Sequence, residues 1–89
     1  MTGDLSTEDL ENRILAFIHS ELVSSNVTVS RDDELLSGAI IDSIGVVRLA
    51  SFVQEEFQFN VRPADFVIEN FRSVAVLADY VRKGTAAKP

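Results

Sequence analysis

Apolar positions along this 89-residue chain fall into three stretches of helical spacing, separated by segments with no sustained period. In the first stretch Leu10, Ile14, Phe17, Ile18 and Leu22 recur at three- and four-residue intervals and share one helix face. Ser6, or Thr7 beside it, is suited to cap that helix, and Glu8, Asp9 and Glu11 set negative charge near the positive end of its dipole. The pattern predicts a helix to about Val23, ending before "SSNVTVS". The second helix is predicted from Asp42 or Ser43 to about Phe57. Ile44, Val47, Ala50, Val53 and Phe57 form its core stripe, with Arg48, Ser51, Gln54 and Glu55 on the other side. Asn60 is read as its left-handed C-cap, and Pro63 disfavours helix at Arg62. Pro63 then opens a short helical turn, "PADFVIE", which "NFRS" breaks. Ser73 is predicted to cap a last helix from Val74 to about Arg82, with Val74, Leu77, Ala78 and Val81 inward and Gly84 as its stop.

Residues 24–42 form the long connection. Its "NVTVS" alternates as a strand does, but the chain holds no second strand candidate for it to pair with. The segment is read instead as an ordered loop whose Val27, Val29, Leu35, Leu36, Ile40 and Ile41 partly cover the core; loops of this length in small domains are usually functional. The expectation is an all-α fold, a small four-helix bundle of three main helices plus one short helix before the last. Its domain spans residues 6–83, between a disordered N-terminus (1–5) and a disordered tail (84–89).

Composition narrows the class. A chain of this length buries roughly 60–70% of its unfolded surface, enough for one modest core. With 46% hydrophobic and 25% charged residues it reads as globular rather than disordered. No apolar run approaches the ~20 residues of a membrane span. The start, "MTGDLSTEDLENR", has neither the basic nor the apolar region of a signal peptide. The absence of cysteine removes disulfides, thiolate metal sites and thiol nucleophiles, and permits a cytoplasmic location, which is the expectation here. Fourteen acidic residues against eight basic ones give a net charge of −6. Such a surface repels phosphate backbones, and the basic cluster Arg82, Lys83 and Lys88 sits near one end, so neither nucleic acid nor membrane is expected as a partner. An acidic domain is better matched to basic patches on proteins. The start at Met1 and the short "KGTAAKP" ending are read as those of a free-standing protein, and a monomer is expected.

Little in the chain points to catalysis. His19, the single histidine, falls on or near the polar face of the first helix, and no cysteine or serine has an evident second partner for it. The run Asp32-Asp33-Glu34 fails as a calcium loop, because Leu36 occupies the third ligand position. No metal site is expected. Ser43 remains. Serine is a preferred N-cap, so capping is its ordinary role, yet Asp42 before it caps equally well and makes one of the pair redundant. With Asp42 as cap, the Ser43 hydroxyl stands at the first helical position and points outward, at a helix end that favours anions. Gly45 one turn in, which costs about 1 kcal/mol relative to Ala, fits close approach by something bulky.

The stretch "LLSGAIIDSIGVVRLASFVQEEFQFNV" resembles the motif of the acyl, aminoacyl and peptidyl carrier proteins: a loop ending in Gly-x-x-x-Asp-Ser-Ile/Leu, then an amphipathic helix closing in Glu-Glu-Phe. "NFRSVAVLADYV" is similar to that family's last helix and "ENRILAFIHSEL" to its first, so the resemblance covers residues 6–83. It implies an acyl-carrier-like bundle that is not itself an enzyme. It implies that Ser43 accepts a 4′-phosphopantetheine arm from coenzyme A through a phosphodiester, installed by a phosphopantetheinyl transferase with magnesium. The arm's thiol would then hold a substrate as a thioester, which explains a carrier without cysteine. Asp42 matches the family's acidic residue beside the serine and is implied to help position the coenzyme. Ile44, Val46 and Val47 would form the apolar surface that partners read, with Phe66, Val67 and Ile68 across from them. Of these, Ile44 and Val47 are expected mostly in the core and Val46 at the surface. The second helix departs from fatty-acid carriers in offering Gly45, Arg48 and Gln54 where those place acidic charge. This favours a discrete carrier of secondary metabolism, of polyketide or nonribosomal-peptide type, and makes Arg48 a candidate docking residue unless it serves a local salt bridge. The implied partners are a loading ligase, adenylation enzyme or acyltransferase, and downstream synthase or tailoring enzymes. The competing reading is a non-covalent acidic adaptor in which Ser43 only caps; a small hydrolase is disfavoured because nothing supplies its base.

Overall fold

The computed structural model describes residues 6–24 and 26–86; the expectations for residues 1–5 and 87–89 lie outside them. Helix α1 spans Thr7–Phe17, and the Ser6 side chain accepts the Asp9 N–H at 3.1 Å, so Ser6 is the cap. The helix continues into a π turn, Ile18–Leu22, in which the Val23 N–H reaches the Ile18 carbonyl at 3.1 Å. Helices α2, Ser43–Glu56, and α3, Val74–Ala86, complete the main elements, and no strand occurs among the described residues. None of these helices is long and apolar enough to cross a membrane.

The core is all-helical in origin with loop cover. Leu10 and Ile14 of α1 and Ile18 of the π turn meet Val74, Leu77, Ala78 and Val81 of α3, and α2 adds Leu49 and Val53. The inward set expected for α3 is the observed one. Val29, Leu35 and Ile41 of the connecting segment are buried with them, whereas Val27 is exposed. That segment is pinned to both the α1 side and the α3 side of the bundle. The Arg31 fork bonds the Glu11 carboxylate at 2.9 and 2.7 Å, which draws Glu11 into a buried position rather than leaving it at the helix dipole. The Arg31 carbonyl accepts the Ala75 N–H at 2.9 Å, the Arg72 carbonyl accepts the Leu35 N–H at 2.9 Å, and His19 Nε2 accepts the Val29 N–H at 2.9 Å. His19 is thus a structural acceptor between α1 and the loop.

Three boundaries differ from the expectations. The left-handed residue after α2 is Gln58 (φ 53°), not Asn60. Phe59 must turn into the core there, and its N–H bonds the Gln54 carbonyl at 3.1 Å while the Gln58 amide caps the Glu55 carbonyl at 3.1 Å. The short fourth helix is two 3₁₀ turns, Pro63–Asp65 and Ile68–Phe71, so the break falls at Phe66 and Val67 instead of at "NFRS". Burial of Phe71 and the bond from Asn70 Nδ2 to the Asp65 carbonyl, at 2.7 Å, hold the second turn in place. Finally, α3 runs through Gly84 to Ala86, into the segment expected to be disordered. Gly84 is a packing residue: a Cβ there would collide with the Phe59 ring.

Candidate functional site at the head of α2

The chain enters α2 through a tight turn. The Gly38 N–H bonds the Glu34 carbonyl at 3.2 Å, Ala39 takes a left-handed φ of 59°, and the Ile40 and Ile41 N–H groups share the Leu35 carbonyl at 2.9 and 3.1 Å. This folding back buries Leu35 and Ile41 and delivers Asp42 in extended conformation as the N-cap. Its Oδ1 accepts the Gly45 N–H at 2.8 Å. Ser43 is therefore relieved of capping: it is the first residue of α2, exposed, and its hydroxyl makes no hydrogen bond among the described residues. Gly45 does serve a close approach, but to its own chain. A Cβ there would lie 3.1 Å from Ile41 Cβ and 3.4 Å from Asp42 Oδ1.

The face of α2 is the clearest correction. Ile44 is 71% and Val47 52% exposed, while Val46 is 7% exposed, the reverse of the expected placement. The packed stripe is Val46, Leu49, Ala50 and Val53, and Phe57 is only half-buried. Both candidate stripes are apolar over the first two turns, so spacing alone does not choose between them. The tertiary fold makes the choice: Val46 joins Leu35 and Ile41 of the preceding segment in the buried core, and Ile41 closes against Gly45.

Two clefts flank this helix head. Ser43, Val46, Val47, Phe66, Val67 and Ile68 come together around a groove of ≈ 350 Å³, joined by Leu36. Leu36 escaped the sequence reading as a site residue, and its signal was the Leu35-Leu36 pair, of which only one side chain fits inward. Asp42, Ile44 and Arg48 line the other cleft, ≈ 660 Å³, between the end of α1 and the loop. The sequence-predicted set is thus divided, with the serine on the side of the 66–68 wall. Exposed Ile44, Val47, Phe66, Val67 and Ile68 give this end of the molecule an apolar surface.

The charges around it are satisfied locally. Arg48 donates to the Glu21 carbonyl at 3.2 Å and lies 3.5 Å from the Glu21 carboxylate, which is the local salt bridge weighed against docking. Arg72 holds the Glu34 carboxyl below its ordinary value, assisted by the Ser37 hydroxyl. Arg62 does the same for Asp65, assisted by Tyr80. Among the described residues no cluster of three or more histidine or carboxylate groups is placed to hold a metal ion.

Residues 13–81 match the model of a protein family described as "phosphopantetheine attachment site". No curated protein matches the chain significantly.

Proposed function

The chain belongs to the phosphopantetheine attachment site family, and from that premise we propose that Ser43 is the residue that takes the arm. Members of this family are carriers, not catalysts, and bear a covalently attached 4′-phosphopantetheine. The observation that supports Ser43 is the division of labour at the head of α2: Asp42 caps, and the neighbouring hydroxyl stands exposed at the first helical position with no hydrogen bond among the described residues. A phosphodiester at that position fits the residues present. The N–H groups of Ser43 and Ile44 belong to the first turn, where no intrahelical acceptor exists, and the dipole favours an anion. The groove beside Ser43, walled by Val46, Val47, Phe66, Val67 and Ile68, is apolar and open, as an uncharged amide-linked arm requires.

Attachment is performed on the Ser43 hydroxyl by a phosphopantetheinyl transferase. The serine oxygen bonds to the coenzyme A phosphorus that bears pantetheine, the diphosphate bridge breaks, the adenosine bisphosphate portion leaves, and the hydroxyl proton passes to a base of the transferase. When attached, the arm supplies the thiol that this cysteine-free chain lacks, and cargo is held on it as a thioester. Asp42, beside Ser43 in the chain, would help position the metal-bound coenzyme during transfer. Ile44, Val47, Phe66, Val67 and Ile68 form the partner-reading surface, met in turn by a loading ligase, adenylation enzyme or acyltransferase and by downstream synthase or tailoring enzymes. Arg48 and Gln54 on α2, in place of acidic residues, favour a carrier of secondary metabolism over one of fatty acid synthesis, working as a monomer in the cytoplasm.

Incubation with coenzyme A, magnesium and a broad-specificity transferase, followed by intact-mass spectrometry, tests the assignment. The expected result is one phosphopantetheinyl adduct on the wild type and none on Ser43→Ala, whose stability stays within about 0.5 kcal/mol because no bond is lost. An adduct on the variant, or none on the wild type, would sink the assignment, and the latter would favour the non-covalent adaptor.

A further inference from the structure

Residues 62–70 form two single 3₁₀ turns with Phe66 and Val67 between them; the Phe66 ring packs edge-on against buried Phe71, with centroids 5.4 Å apart, while Phe66, Val67 and Ile68 keep exposed faces. Their polar contacts converge on one residue. Asp65 Oδ2 accepts from Tyr80 Oη at 2.9 Å and from Arg62 Nε at 3.1 Å. The Asp65 carbonyl accepts from Asn70 Nδ2 at 2.7 Å and from the Val67 N–H at 2.9 Å. Of these donors only Tyr80 lies outside the segment. It belongs to α3, and its ring is fixed edge-on against Phe59, with centroids 5.2 Å apart. The Tyr80–Asp65 bond is therefore a polar tie between the segment that walls the Ser43 groove and α3.

We propose that Asp65 and Tyr80 are positioning residues that set the wall Phe66–Ile68 for recognition by the enzymes acting on Ser43. This rests on the reading of Ser43 as the modified residue. Neither group touches the reacting oxygen; both act through the apolar side chains that flank it. The tie is a charge-assisted hydrogen bond, and its partners are held in the bonding state. Arg62 and Tyr80 keep the Asp65 carboxyl below its ordinary value, and burial followed by Asp65 pushes the Tyr80 hydroxyl up to about 12. Releasing the tie lets the wall sample other shapes, and only the fraction in the recognised shape binds.

Tyr80→Phe removes the hydroxyl and keeps the ring against Phe59. With coenzyme A and a broad-specificity transferase, it is expected to raise the KM for the carrier about fivefold to tenfold at unchanged kcat, roughly the worth of one such bond. Amide hydrogen exchange should accelerate at Val67 and Ile68 while α1 and α3 keep their protection. Asp65→Asn, which keeps an acceptor for Tyr80 but loses the charge, should fall between wild type and Tyr80→Phe. An unchanged KM with unchanged exchange at 66–68, or a uniform loss of protection across α1 and α3, would overturn the proposal. Absence of any adduct on the wild type would instead overturn the Ser43 assignment.

Discussion

Arg48, in the middle of α2, donates to the Glu21 carbonyl at 3.2 Å and so closes the last turn of the α1 segment. A cation at a helix C-terminus interacts favourably with the unpaired carbonyls there, and the Glu21 carboxylate adds to it at 3.5 Å. The same side chain lines the larger cleft beside the helix head. Any effect of Arg48 on partners is consequently mixed with an effect on how α1 ends.

Arg48→Glu is therefore expected to cost about 0.5–1 kcal/mol of stability, by losing the cap and placing like charges together. Arg48→Gln, which can still donate to the carbonyl, should cost less. Urea denaturation of both variants measures this. A docking role for the charge requires that Arg48→Gln also slow loading by the cognate enzyme at low salt, with the difference from wild type shrinking as salt is raised. Loading rates that stay equal at every salt concentration would leave Arg48 as the α1 cap only.

At Asp42, capping and any part in arm transfer separate by substitution. Asp42→Asn preserves a side-chain oxygen for the Gly45 N–H and should change stability by only a few tenths of a kcal/mol, whereas Asp42→Ala should cost about 1 kcal/mol. If the carboxylate also positions magnesium-bound coenzyme A, Asp42→Asn slows adduct formation despite its intact fold. Equal modification rates for Asp42→Asn and wild type would confine Asp42 to capping.

These residues also mark where the sequence was legible. Asp42-Ser43 announced a helix start, the α3 stripe read correctly at every inward position, and Gly38, Asp42, Ser43 and Ile44, with the Glu55-Glu56-Phe57 close and the element order, carried the family resemblance. The register of α2 was hidden, because Ile44, Val46, Val47, Leu49 and Ala50 offer two apolar stripes and only the tertiary fold, in which Val46 joins Leu35 and Ile41 in the core, decides between them. The π turn and the Asp65 hub were hidden for a related reason. Each is fixed by a partner distant in sequence: His19 by Val29, and Asp65 by Tyr80. Local propensity carries no record of such bonds.

The stability profile against pH has a limb on each side that follows from the perturbed groups. Glu34 and Asp65 titrate below their ordinary values when folded, so the unfolded chain binds more protons in acid and stability rises with pH there. Their contribution is complete above the ordinary carboxylate range, about pH 4 to 5, and is lost as pH falls through the lowered folded values. Tyr80 acts oppositely. Its folded value, about 12 against 10.0, supports the fold below 10.0 and is lost as pH rises toward 12. Urea midpoints measured across pH should show a flatter acid limb in Glu34→Gln and a flatter alkaline limb in Tyr80→Phe. Limbs identical to wild type would show that these pairs do not couple to folding.

Gly84 yields the last prediction, on packing alone. Its position near the end of a predicted helix marked it as a stop, but α3 passes through it and the Phe59 ring lies where its side chain would be. Phe59 itself is buried and stacks edge-on against Tyr80, so it has little room to withdraw. In an ordinary exposed helix Gly→Ala stabilises by about 1 kcal/mol. Here Gly84→Ala is expected to destabilise by about 1–3 kcal/mol, because overpacking drives the ring against its neighbours. Phe59→Leu, which shortens the obstructing side chain, should convert the Gly84→Ala effect toward neutral or stabilising in the double variant. Denaturation of the four proteins in that cycle measures the coupling, and additive effects would show that Gly84 and the Phe59 ring do not compete for the same space.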